Sequence, residues 1–141
     1  MKIVTKYQCD YCGETFYSEE ECLRHEDTHV RVDKANKMLK EGKTLGEINS
    51  ECNIWSKVPD YAVNITKDSC FTISYLQCCD KPAYRITYIN MDGTLSVWGC
   101  GSWSGYYGVD YNIDNNYFRN PKPAEELFID PRYAQRLKEG W

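Results

Sequence analysis

Along the first third of the chain, hydrophobic residues recur with the spacing of a helix. Val32, Ala35 and Leu39 lie three and four residues apart, and basic residues occupy positions between them, which is the pattern of a helix with one buried face. Ser18, followed three residues later by a glutamate, forms a capping box that predicts the start of this helix. Gly42 predicts its end. We therefore expect one helix that begins after Ser18 and can continue to the glycine.

Two further elements are predicted on either side of this helix. Residues 7–16 have the pattern of a short hairpin, with two cysteines in the turn between its strands. Thr44 and Glu47 form a second capping box, which predicts a short helix ending near Cys52.

After Pro59 the pattern changes to that of strands. Residues 70–77, 83–90 and 94–100 are rich in β-branched and aromatic residues, which favours an antiparallel meander of three strands. Residues 79–82 predict its first turn and residues 91–93 its second.

The remainder of the chain is predicted with less regular structure. Residues 106–113 form a candidate fourth strand, and residues 112–123 read as a loop. Pro123 and Pro131 each stand where a first helical residue is expected, so two short helices are predicted to end the chain. The predicted fold class is α+β: a ββα zinc finger, a helical connector, an antiparallel sheet and short C-terminal helices. We place the boundaries at residues 1–30, 31–57 and 58–141.

Four residues near the N-terminus have the spacing of metal ligands. Cys9 and Cys12 are separated by two residues, and His25 and His29 by three. Two cysteines at this spacing fit the turn of a hairpin, and two histidines four positions apart share one face of a helix. Two thiolates and two imidazoles form a set of four ligands that suits tetrahedral zinc. The motif predicts one structural zinc ion bound by these four residues.

Residues 7–29 resemble the two-Cys-two-His zinc finger family. Tyr7, two residues before the first cysteine, and Phe16, four after the second, extend the match beyond the ligands. Cys22 departs from the family, which usually has leucine at this position; we interpret it as a small buried apolar residue. The resemblance implies the ββα fold and also suggests DNA reading, for which Ser18, Glu21 and Arg24 would be the base-contacting positions.

The charge of the finger argues against DNA reading. Residues 1–29 contain seven acidic and three basic residues, whereas residues 30–57 contain four acidic and six basic ones, in a chain of net charge −4. Phosphate contacts dominate nucleic-acid affinity, so binders usually show the opposite sign. One finger also covers only about 3 base pairs. We therefore expect a non-enzymatic protein-binding role for the finger, with Glu19 and Glu20 among its contact residues.

Catalysis is not expected from this sequence. His25 and His29 are its only histidines, so zinc binding leaves no imidazole for acid–base chemistry. Zinc with four protein ligands also has no open position for an activated water. The eight cysteines allow a second metal site at Cys78, Cys79 and Cys100, although buried inert cysteines remain the alternative.

Residues 98–118 combine seven aromatic residues with many glycine, serine and asparagine residues and no lysine or arginine. This composition is typical of binding loops. We expect Trp103, Tyr106 and Tyr107 to contact a partner, with packing inside the sheet as the alternative.

Together these features predict a zinc-binding cytoplasmic protein, with reduced thiols and no membrane segment, that binds another protein. An acidic finger and an uncharged aromatic segment suit a partner with a basic groove, such as a nucleic-acid-handling enzyme. In size and composition the chain resembles small accessory proteins of bacteria and phages, including anti-CRISPR proteins, and the resemblance implies an inhibitor of a host nuclease. The alternative is a DNA- or RNA-binding regulator that uses the basic helix at residues 31–40.

Overall fold

The computed structural model describes residues 1–73, 81–101, 105–114 and 118–123 of the 141-residue chain. This part of the chain contains a two-stranded N-terminal hairpin, two helices and a five-stranded antiparallel sheet, which confirms the α+β class. In chain order, the elements are β1 (Tyr7–Gln8), β2 (Thr15–Phe16), α1 (Glu19–Lys40), α2 (Leu45–Cys52), β3 (Ser69–Ile73), β4 (Lys81–Ile89), β5 (Leu95–Gly101), β6 (Gly105–Tyr111) and β7 (Phe118–Pro123).

The first helix follows the capping pattern of its sequence. The side chain of Ser18 accepts a hydrogen bond from the Glu21 N–H at 3.4 Å, which satisfies one of the free donors at the helix start. Gly42, with φ of +88°, follows the helix and donates to the Leu39 carbonyl. The helix is 22 residues long and runs without a break across residue 30. The predicted finger and connector therefore share one helix.

The second helix is anchored to the segment that leads into the sheet. Thr44 Oγ1 accepts from the Glu47 N–H at 3.1 Å, as the second capping box predicts. The N–H groups of Leu45 and Gly46 donate to carbonyls of residues 65 and 63. A Cβ atom at Gly46 would lie 2.9 Å from a methyl group of Val63, so this close approach requires glycine.

The strand order in the large sheet is β6-β5-β4-β3-β7, and every neighbouring pair is antiparallel. The predicted meander and the fourth strand are therefore confirmed. Residues 91–93 make the turn between β4 and β5, and Gly93 has φ of +84°. Asp92 stabilises this turn by accepting from the Thr94 N–H and hydroxyl.

Three predictions about the second half of the chain are wrong. Residues 118–123 are not loop but form β7, which pairs with β3. Because β7 lies at the sheet edge, its two prolines are tolerated in a strand. Pro82 is not in a turn but in β4, opposite Thr72. Pro123, the expected first residue of a helix, also lies in β7; the rest of that helix, the helix at Pro131 and residues 74–80 lie outside the described residues.

The hydrophobic core lies between the helices and one face of the sheet. It combines the second half of α1, the buried face of α2, the segment between α2 and β3, and β4 to β6. In β4, a bulge between Ile86 and Tyr88 adds one residue, which brings both Ile86 and Ile89 into the core although they are three positions apart.

One buried polar side chain joins α1 to the sheet. The Asn36 amide nitrogen donates to the Ile89 carbonyl at 2.9 Å, and its oxygen accepts from the Ile89 N–H at 2.7 Å. The side chain thus pairs with the β4 backbone as another strand would, and its amide nitrogen also donates to the Val32 carbonyl. Because these groups are buried and paired, the contact fixes the position of α1 on the sheet.

Neither described helix is long and apolar enough to cross a membrane.

Candidate metal centre

The four predicted ligands come from two local elements. Cys9 and Cys12 lie in the turn between β1 and β2, and His25 and His29 lie one turn apart on α1. One ligand atom from each residue falls in a group whose members are all within 4.8 Å of one another. The fold therefore brings the two cysteines and the two histidines together, as the motif predicts.

The distances inside this group suit a metal ion. Cys12 Sγ is 3.2 Å from His25 Nε2, and the Nε2 atoms of His25 and His29 are 3.1 Å apart. Tetrahedral zinc places neighbouring sulfur and nitrogen ligands about 3.3–3.8 Å apart, which is slightly farther apart than these two pairs of atoms. His25 Nε2 faces both neighbours, yet one ring nitrogen has either one proton or one lone pair. A cation at the centre satisfies all three atoms, whereas a hydrogen bond satisfies only one pair.

The turn that carries the cysteines is held by backbone hydrogen bonds. The Cys9 N–H donates to the Glu14 carbonyl at 2.8 Å, and the Gly13 N–H donates to the Cys9 carbonyl at 3.0 Å. Gly13 has φ of +78°, which favours glycine. The Tyr11 N–H donates to Cys9 Sγ at 3.4 Å, a contact that stabilises negative charge on the sulfur.

A carboxylate connects this turn to the helix. The Asp10 N–H donates to Glu26 Oε2 at 2.8 Å, so α1 supplies both two ligands and a fixed contact for the cysteine turn. Hydrogen bonds to residues beside the ligands orient the groups that bind a metal. Glu26 is therefore a structural part of the centre rather than a free surface charge.

Aromatic rings surround the two histidines. The Phe16 ring lies 5.0 Å from the His25 ring, and the Tyr11 ring stacks on His29 at 5.2 Å between centroids. Cys22 is buried beneath the hairpin at 5% exposure. Burial raises the pKa of the Cys22 thiol, and the Glu26 charge adds to that effect. Cys22 thus remains a neutral thiol at neutral pH and serves as packing, as we expected from the sequence.

The electrostatics of the cysteine pair also favour a cation. A backbone hydrogen bond from Glu14 lowers the pKa of the Cys12 thiol. Desolvation and the nearby Cys9 together raise this pKa by more, so the net shift is upward. The Glu14 carboxylate lies 3.5 Å from His25 Nε2. When the two cysteines are deprotonated, their thiolates and the Glu14 carboxylate place negative charge in one small space, and a divalent ion offsets that charge.

The predicted partner-binding residues that the structure describes lie on two different elements, α1 and β6. Glu19 and Glu20 are exposed in the first turn of α1. Tyr106 and Tyr107 are not in a loop, because they lie in edge strand β6 opposite Cys100 and Gly99. Trp103 lies outside the described residues.

The proposed second metal site is likewise only partly within the described chain. Cys78 and Cys79 lie outside it, and Cys100 is in β5, as predicted. This site therefore stays a prediction.

The structure also reveals exposed apolar residues on the finger that the sequence analysis missed. Leu23 and Val30 on α1 are 57% and 51% exposed, and Tyr17 just before the helix is 71% exposed. Leu23 and Val30 are seven residues apart, and each follows a buried or ligand position by one residue. That spacing was the available signal, since it places both side chains on a helix face turned away from the metal centre.

No known protein family, curated protein or solved structure matches the chain in our comparisons. The fold and the site themselves define the class: an α+β protein with a Cys2His2 group in an N-terminal hairpin and helix, arranged to hold a metal ion.

Proposed function

We propose that Cys9, Cys12, His25 and His29 bind one structural zinc ion. The observation that supports this is the convergence of two thiols and two Nε2 atoms within 4.8 Å. Thiolate sulfur with imidazole nitrogen is the ligand combination that suits zinc. Four protein ligands leave no open position for water or substrate, so the ion holds the hairpin against α1 and performs no chemistry. In keeping with that role, the protein is proposed to be non-enzymatic.

We further propose that the finger is a protein-binding module. The outer face of α1, defined here as Glu19, Glu20, Leu23, Asp27 and Val30, combines three carboxylates with two exposed apolar side chains. A shallow groove of about 420 Å³ runs along Glu19, Glu20, Leu23, Arg24 and Asp27. Exposed apolar residues surrounded by charge are typical of interaction sites. A partner with basic and apolar groups on one surface fits this face.

Within this proposal, the partner is a nucleic-acid-handling enzyme whose basic groove accepts the outer face in place of phosphates. Carboxylates at the rim of such an interface increase the association rate, and apolar residues at its centre lengthen the lifetime. A small protein with these properties suits an inhibitor of a host nuclease, for example a phage protein of the anti-CRISPR type. The aromatic residues Trp103, Tyr106 and Tyr107 remain proposed additional contacts.

The competing proposal, nucleic-acid binding by the basic part of α1, has less support. Arg31 donates to Asp27 at 3.0 Å and to the Asn53 carbonyl at 2.8 Å. Lys34 lies 3.5 Å from Glu51. Both cations therefore already face oxygen acceptors of the protein, which reduces the positive field available to phosphates.

Tagged capture from the source cell, followed by binding kinetics with the captured enzyme, tests the proposal. We expect Leu23→Ser with Val30→Ser to speed dissociation at least about tenfold, because buried anchors each contribute about 1–3 kcal/mol. Glu19→Lys with Glu20→Lys should slow association and flatten its salt dependence. Glu41→Lys with Glu47→Lys, at exposed positions off this face, serves as the matched control.

Two results would contradict the proposal. One is that the association and dissociation rates with the captured enzyme change equally in all three double variants. The other is sequence-dependent DNA or RNA binding in a gel shift at about 150 mM salt that disappears with Lys37→Ala and Lys40→Ala, which would favour the regulator instead.

A further inference from the structure

A second concave site lies on the opposite end of α1 from the metal centre. A cleft of about 300 Å³ opens between the last turn of α1, the turn before β3 and the middle of β4. None of the described residues that line it belongs to the metal centre or to the outer face. They are Leu39, Lys40, Lys67, Asp68, Arg85, Ile86 and Thr87.

The charge of this cleft differs from that of the whole protein. Lys40, Lys67 and Arg85 reach it from three segments far apart in the sequence, and Asp68 is the single carboxylate among the described residues that line it. The chain carries a net charge of −4. Like charges that share one partly enclosed space repel one another, and a bound anion reduces that repulsion. Of the ion pairs formed by described residues, none joins Asp68 to Lys40 or Lys67.

Hydrogen bonds hold the backbone of the turn at one side of the cleft. Lys67 and Asp68 are the central residues of a turn in which the Ser69 N–H donates to the Thr66 carbonyl at 3.1 Å. The Thr66 N–H donates back to Ser69 Oγ at 3.0 Å. Arg85 is half-buried on β4. Its guanidinium has five N–H donors, so it can keep contacts within the fold and still present donors to the cleft.

We propose that this cleft binds a small phosphorylated molecule, with its phosphate between Lys40, Lys67 and Arg85. A planar guanidinium and two ammonium groups match the oxygens of a phosphate dianion. Leu39 and Ile86, both buried, form an apolar floor for the uncharged part of the ligand. The volume is at the lower end of the range of small-molecule sites, which limits the ligand to about the size of a mononucleotide.

Amide NMR spectra of the zinc-loaded 141-residue protein provide the test, with inorganic phosphate, AMP, adenosine and sodium chloride as probes at matched ionic strength. We expect saturable shifts with phosphate and AMP at residues 67–68 and 85–87, and none with chloride or adenosine. Affinity for AMP should increase between pH 5 and 7, because the phosphate loses its second proton at about pH 6 and becomes a dianion.

Three substitutions make the test specific, and each is checked for an unchanged fold by its spectrum. Lys67→Ala should weaken AMP binding about fivefold or more, since it removes one charge-assisted contact. Asp68→Asn should tighten binding, because it removes a carboxylate that lines the cleft. Lys37→Ala makes the same charge change on an exposed part of α1 outside the cleft and should leave the affinity unchanged.

Three outcomes would overturn the proposal. The first is an equal response to phosphate and chloride. The second is an equal loss of affinity in Lys37→Ala and Lys67→Ala, which indicates only non-specific attraction. The third is a DNA 10-mer that binds more tightly than AMP and loses affinity in both Lys37→Ala and Lys67→Ala. That result would indicate that these lysines form a nucleic-acid-binding surface.

Discussion

The two halves of α1 belong to one continuous helix but are stabilised in different ways. In residues 19–31 of the helix, Cys22 is the only buried residue, and His25 and His29 point to the metal centre. From Val32 onward, Val32, Ala35, Asn36, Met38 and Leu39 are all buried. A segment as small as the finger cannot bury enough apolar surface to fold alone, whereas the second half contributes to the main core.

This difference shows that helix continuity does not imply a common source of stability. The first half buries only Cys22 and directs His25 and His29 to the metal centre, and its other residues are half-buried or exposed. The second half is fixed by apolar contacts and by the Asn36 amide bonded to Ile89. The metal centre and the core should therefore respond independently to substitution, and five experiments test that expectation in order of expected effect.

Loss of the metal should produce the largest effect. Cys12→Ser or His25→Ala removes a ligand, and structural zinc contributes on the order of 10 kcal/mol or more to the folding of such modules. We expect about one zinc per chain in the parent protein by elemental analysis and a loss of amide dispersion in residues 7–30 of the variants. Signals of residues 32–52 and 85–97 should persist. Collapse of both sets together would show that the halves are a single cooperative unit.

The metal should also leave on acidification, with a defined sign. The pKa of Cys12 is raised in the metal-free protein, and zinc binds the thiolate, so protons compete with the ion and affinity falls as the pH decreases. Zinc release measured against pH should therefore precede unfolding of the core. Cys52→Ala, which changes a buried cysteine outside the centre, should not alter this release curve.

A cavity in the core should have the second-largest effect. It should destabilise the core and leave the metal centre intact. Ile89→Ala removes a fully buried side chain that packs beneath α1, and such changes cost about 2–5 kcal/mol. We expect a lower midpoint in urea unfolding with one zinc still bound at low denaturant. Loss of zinc in the well-folded variant would mean that the core supports the finger directly.

Replacing the buried amide should have a smaller effect on the connection between α1 and the sheet. Asn36→Ala leaves the N–H and carbonyl of Ile89 without these partners, which costs about 1–3 kcal/mol. Chemical denaturation followed by tryptophan fluorescence measures the loss. Asn64→Ala, at an exposed asparagine, is the matched control and should unfold like the parent protein.

The smallest effect is expected at the β4–β5 turn. Hydrogen bonds from the Thr94 hydroxyl and N–H lower the pKa of Asp92 below its ordinary value of 3.8. A lowered pKa in the folded state means that its contribution to stability is present above pH 3.8 and is lost as the pH falls through the folded value. Asp92→Ala should therefore reduce the thermal midpoint by a few degrees at most at pH 7, and the difference from the parent should disappear in acid.

Much of the finger and both helices was predictable because the relevant signals are local. The ligands lie within residues 9–29, and each capping box spans four residues, so helix geometry alone brings the groups together. The strands of the meander were also predictable from β-branched and aromatic residues between turn signals. In these segments the sequence determines the local structure, and tertiary packing then joins the elements.

Long-range packing decided the remaining features. Strand β7 has two prolines and no apolar alternation, and it is a strand because β3 offers an unpaired edge. The bulge at Thr87 places Ile86 and Ile89 on one face, which no period of two predicts. The cleft of Lys40, Lys67 and Arg85 likewise joins segments more than 15 residues apart. Such contacts depend on which surfaces meet in three dimensions, and a sequence pattern reports only which residues are available to meet.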